Sequence, residues 1–148
     1  MPNDKLLATL QETRREIVQE RYARMDRSQN ARTVLDHSRA HLRQADDKAR
    51  VAVQADEDVK EKQRVLIDSL NGMTEKPQYL LDKVGRLQGD QLATYRERQN
   101  AQEIARNRQR EVTQAETALA VAQSDMQAID KDITDIDAKI QEVQGYRL

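Results

Sequence analysis

Two histidines four residues apart, His37 and His41, are the side chains in this sequence best spaced for chemistry. On a helix, imidazoles at that spacing share a face and can grip one metal ion, but a usable site needs a third and usually a fourth ligand. Asp36 is adjacent in sequence yet poorly placed on that face, and nothing else converges. The pair reads as solvated polar residues beside a seam, so no metal and no cofactor is expected. Cysteine is absent, which removes disulfides, thiolate metal sites and a cysteine nucleophile. There is no phosphate-cradling glycine loop, nucleophile elbow or HExxH pattern. Carboxylates are abundant, but shifting their pKa values takes a pocket that removes them from water. The expectation is a protein that is not an enzyme. The richest basic patch, Arg96, Arg98, Arg106, Arg108 and Arg110 against Glu97 and Glu103, is a local +3 with only Tyr95 available to stack on a base. With a pI near 6.2 it reads as a solvated helix face, and no nucleic-acid partner is expected.

The composition says what kind of element must carry these residues. Of 148 residues, 37% are apolar and 34% charged, with no Phe, no Trp and four Tyr. Mean hydropathy is −0.94. Large rings dominate most compact cores by buried area, so a thick core would be hard to build here. Ala, Leu, Ile and Val among many charged residues and Gln suit a thin helical seam with a broad wet surface. Disorder shares that composition, but the net charge is only −1 and the apolar residues are periodic. The opening apolar stretch Leu6-Leu7-Ala8-Thr9-Leu10 is too short for a signal peptide, and no run approaches a membrane span. A cytoplasmic protein is expected.

Helix breakers are few. Apart from Pro2 and Gly145 they are Gly72, Pro77, Gly85 and Gly89, all within residues 71–90, where Asn71-Gly72 is a turn dipeptide and Asp90 a good N-cap. The sequence therefore predicts one coiled-coil domain over 1–148: an arm at 4–70, a turn region at 71–90 and an arm at 91–144. From Ala31 a 3.5-residue repeat runs Ala31, Leu35, Ser38, Leu42, Ala45, Ala49, Ala52, Asp56, Val59, Gln63, Leu66 and Leu70, with nine of twelve apolar. Upstream, Leu7, Leu10 and Ile17 hold one phase while Val18, Tyr22 and Met25 sit one position later, which suggests a phase shift. The second arm is more regular: Ala105, Arg108, Val112, Ala115, Leu119, Ala122, Met126, Ile129, Ile133, Ile136, Ile140 and Val143, with eleven of twelve apolar. Arg108 is the exception, and a single polar seam residue often fixes register or partner number.

Folding about residue 74 would match positions whose numbers add to about 148. That sets Ala45-Ala49-Ala52 against Ala101-Ala105, and Leu7, Leu10 and Ile17 against Ile129 to Ile140. Charge agrees: residues 14–50 carry ten basic and six acidic groups, residues 111–142 two basic and eight acidic. Opposite charge helps an antiparallel pair choose its orientation. The predicted fold is all-α, a long antiparallel two-helix coiled-coil hairpin, with a monomer favoured. At 1.5 Å per residue a 60-residue arm would make a rod roughly 90 Å long. Near the turn, Tyr79, Leu80, Leu81, Val84 and Leu87 recur at helical spacing. They read either as a short helix packed on the arms or as an exposed apolar face, with Tyr79, Leu80, Val84 and Leu87 as the candidate partner-binding residues.

Arms rich in Arg, Gln and Glu, such as Tyr95-Arg96-Glu97-Arg98-Gln99 and Arg106-Asn107-Arg108-Gln109-Arg110-Glu111, combine with the Ala-rich seam at Glu116-Thr117-Ala118-Leu119-Ala120. In that texture and in its two-arm plan, over essentially its whole length, the chain resembles the central-stalk proteins of type III secretion ATPases, the FliJ-like or YscO/HrpO group. The resemblance implies a cytoplasmic protein, peripheral to the inner membrane through its partners, whose hairpin sits in the pore of a hexameric secretion ATPase. It implies a link to the export-gate protein, contacts with secretion chaperones, and a fold similar to the coiled coil of the rotary ATPase γ subunit. The end carrying both termini would enter the ring and the turn would face the gate. Two other readings belong to different classes: the receptor-binding helical hairpin of a colicin-type toxin, and a homo-oligomeric coiled-coil scaffold. The Met1 start and the lack of killing or translocation segments place the toxin reading second.

Overall fold

A computed structural model describes residues 2–145. Those residues form two α-helices and no strand: α1, Pro2–Asn71, and α2, Gln78–Gly145, packed against each other as an antiparallel hairpin. α1 runs for 70 residues because neither Gly nor Pro interrupts it between Pro2 and Gly72. Its last turn closes with the Met73 N–H donating to the Leu70 carbonyl at 3.1 Å. Residues 72–77 make the reversal, with no positive φ at Gly72 or any other described residue. The Pro77 carbonyl then accepts the Leu80 and Leu81 N–H groups at 3.1 and 3.2 Å and starts α2.

The reversal is shorter than the 71–90 window expected from the breakers. Residues 78–90 are helical, Gly85 and Gly89 lie in the helix interior, and Asp90 is not an N-cap. The reason is packing. The seam extends backward from Ala105 without a break through Ala101, Arg98, Thr94, Gln91, Leu87, Val84 and Leu80, each buried or half-buried. Burying this face outweighs an interior glycine cost of about 1 kcal/mol each.

The seam itself follows the predicted heptads. All twelve positions from Ala31 to Leu70 and all twelve from Ala105 to Val143 are buried or half-buried. Upstream of Ala31, however, there is no phase shift. Leu7, Leu10, Arg14, Ile17, Arg21, Arg24, Ser28 and Ala31 keep the same three-four alternation and are all at least half-buried; of the residues one position later, Val18 and Met25 flank this seam half-buried and Tyr22 is exposed. Three arginines hold seam positions by laying their methylene stems along the apolar surface and extending their charged heads to the partner helix.

The residues group into two compact units. The first, Met1–His37 with Thr113–Leu148, buries Leu7, Leu35, Ala115, Ile129 and Val143. Its register is set out by Arg14 Nε donating to Asp137 Oδ1 at 2.5 Å and Arg21 Nε donating to Asp130 Oδ1 at 2.6 Å. Seven residues forward on α1 are seven residues back on α2, as antiparallel pairing requires. Arg24 adds a 3.0 Å bond to the Asp125 carbonyl. The basic and acidic arms thus meet, but Arg14 lies with Asp137 rather than with residue 134, three positions from the register centred on residue 74. The second unit, Ser38–Val112, buries Ala45, Leu70, Leu87 and Val112, with Ser38 and Asp56. There Ala45, Ala52 and Ala55 line shallow grooves together with Ala101, so small residues do meet small ones.

Candidate functional site

Asp56 is the most buried residue among those described, with no exposed side-chain surface. The heptad carries it into the seam, and a carboxylate there must find partners or lose its charge. It finds three. Lys60, one turn along α1, places Nζ 3.0 Å from Oδ2. From α2, Arg98 Nη1 donates to the same oxygen at 3.2 Å, and the Thr94 hydroxyl lies 3.1 Å from Oδ1. The Thr94 oxygen is also 3.1 Å from the Gln91 carbonyl, so its single proton has two acceptors to choose from. The bond from Lys60 is the main cause holding the Asp56 carboxyl below its usual range; burial opposes it, and Thr94 and Arg98 reinforce it. Thr94 and Arg98 are seam residues of the backward extension of α2, and a search that starts its heptads at Ala105 misses them. Counting back in threes and fours from Ala105 would have found both.

Arg108 does not perform the register role expected of it. Its guanidinium donates to Glu111 of its own helix at 3.0 and 3.2 Å, with two-fifths of the side chain exposed. A bond within one helix travels with that helix and carries no information about the other.

The candidate partner-binding face near the reversal divides. Leu87 is buried at 8% exposure, and Leu80 and Val84 are half-buried, because all three are seam positions. Tyr79 stands outside the seam, 69% exposed, with the Arg86 guanidinium 5.5 Å from its ring centroid. Leu81 and Met73 are exposed beside it in the chain's reversal and first turn. Of the four candidates, Tyr79 is the one left mostly exposed to meet another molecule, and Leu81 joins it.

His37 and His41 are both exposed, and among the described residues no group of three or more His, Cys, Asp or Glu is arranged to hold a metal ion. The grooves are open troughs along the helices. The one lined by Glu61, Lys62, Val65, Leu66, Ser69, Lys83 and Leu87 has a volume of about 310 Å³. Among the described residues no helix is long and apolar enough to cross a membrane. No protein-family model matches the chain, and no curated protein or solved structure matches it.

Proposed function

We propose that the hairpin is a non-enzymatic coiled-coil stalk of a type III protein secretion apparatus, working in the cytoplasm by binding a hexameric secretion ATPase and linking it to the export-gate protein. The observation that supports this reading most is the unbroken heptad seam on both helices, Leu7 to Leu70 and Leu80 to Val143. The seam pairs the two helices and leaves an outward surface of mixed charge, interspersed with exposed apolar side chains such as Val34, Val51 and Ile104. Such a surface suits contacts that form and release inside a ring, because exposed charge pairs are individually weak. In this reading the reversal faces the gate, and Tyr79 with Leu81 supplies the apolar contact there.

The test separates the seam from the tip. Tyr79→Asp with Leu81→Asp changes outward side chains and should stop secretion while helix content and unfolding midpoint stay at the wild-type level. Leu80→Asp with Val84→Asp enters the seam and should lower the midpoint as well. Co-purification with the secretion ATPase is measured in parallel. Normal secretion by the Tyr79/Leu81 variant would remove the tip assignment. Failure of the wild-type protein to retain the ATPase or an export-gate component would remove the stalk reading.

A further inference from the structure

We propose that Asp56, gripped by Arg98 and Thr94, is the register lock of the hairpin, the group that makes one alignment of α1 on α2 better than its heptad-shifted neighbours. The argument starts from the rest of the seam in residues 38–112. Ala45, Ala49 and Ala52 face the segment of Ala101 and Ala105, and a slide of one heptad puts Arg108 and Val112, or Thr94 and Arg98, where Ala101 and Ala105 stood. Shape there opposes a slide, but it strands no charge. The ion pairs of the other unit discriminate poorly. Shifting α2 by seven residues takes Arg14 from Asp137 to Asp130, or Arg21 from Asp130 to Asp137, so either slide keeps one of the two pairs.

Asp56 tolerates neither slide. One direction replaces Thr94 and Arg98 by Ala101 and Ala105, the other by Leu87 and Gln91. Both leave a fully buried carboxylate without its cross-helix cation. Lys60 does not rescue the choice, because it rides on α1 with Asp56 in every register. A parallel pairing of α1 with a second copy would bring two Asp56 carboxylates together in a seam, which also fails. A buried polar residue in this position selects one alignment by penalising the others, as single polar seam residues do in coiled coils.

The experiment uses the full chain, whose lack of native cysteine makes labelling clean. Spin labels go on Asp46→Cys and Asp90→Cys, two exposed residues outside the lock and well separated along the helices. Pulsed electron double resonance then gives the distance distribution. The labelled parent should show one narrow distance. Asp56→Leu should keep its helix content and add populations displaced by about 10 Å, the axial rise of seven residues. Lys60→Ala should keep the single distance. A single unshifted distance in Asp56→Leu, or equal spreading in Lys60→Ala, overturns the proposal. Thr94→Val with Arg98→Met is read by the same criterion should Asp56→Leu not fold.

Discussion

Leu35 and Val34 are neighbours in α1 with opposite fates, and replacing each by alanine measures the seam directly. Leu35 is 4% exposed and Val34 55% exposed. Leu35→Ala deletes three buried carbons, about 2.4 kcal/mol at ~0.8 kcal/mol for each. A residual void would add to this, and alanine's better helix propensity would return a few tenths. The net loss should be about 2–3 kcal/mol. Val34→Ala removes surface that water already reaches and gains roughly 0.5 kcal/mol in helix propensity by losing a β-branch, so it should be neutral or slightly stabilising. Urea titrations followed by circular dichroism at 222 nm provide the assay. With a slope of about 2 kcal/mol per molar, Leu35→Ala should lower the midpoint by roughly 1–1.5 M and Val34→Ala should leave it in place. Equal losses, or a larger one at Val34, would mean that α1 presents a different face to α2 and that the seam described above is misphased.

Acid should loosen the hairpin through Asp56. Its carboxyl is held below the ordinary value in the folded chain, so its contribution is complete above about pH 4 and drains away as pH falls through the depressed folded value. Asp56→Asn should flatten the fall of the urea midpoint with pH in that window; parallel curves would refute the assignment. Glu61, held down by Arg64, acts in the same direction but at the surface, so its share should shrink in salt. The two interior glycines offer a gain. A methyl group added at Gly85 or Gly89 meets no atom within 4 Å, so Gly85→Ala and Gly89→Ala should each stabilise by about 1 kcal/mol in thermal unfolding. A fall in the midpoint would show that the chain bends there.

The helices and most of the seam could be read from the sequence because a coiled coil writes its packing as a local period. Counting alone places Leu35, Val112 and Ile129 in the seam, and the structure buries all three. The breakers were harder to read. Gly85, Gly89 and Asp90 carry strong local signals for a turn, yet helical packing from Leu80 onward overrides them. The same override carries Arg98 and Thr94, the cross-helix partners of Asp56, into the seam. Arg14 and Arg21 do not read as seam residues in the sequence, because a charged head conceals an apolar stem.

The sequence by itself determined that the chain is helical, that it turns back once, and which stripe of each arm is apolar. These follow from short-range spacing, from helix-breaking residues, and from the sign of charge on each arm. Only the tertiary structure decided where α2 begins, which seven-residue step of α1 lies against which of α2, and which polar seam residue is paired across it. Those are choices among alignments that share one heptad phase. They are settled by a few long-range contacts, Arg14 with Asp137, Arg21 with Asp130 and Asp56 with Arg98, whose partners lie too far apart in the chain for any local period to connect them.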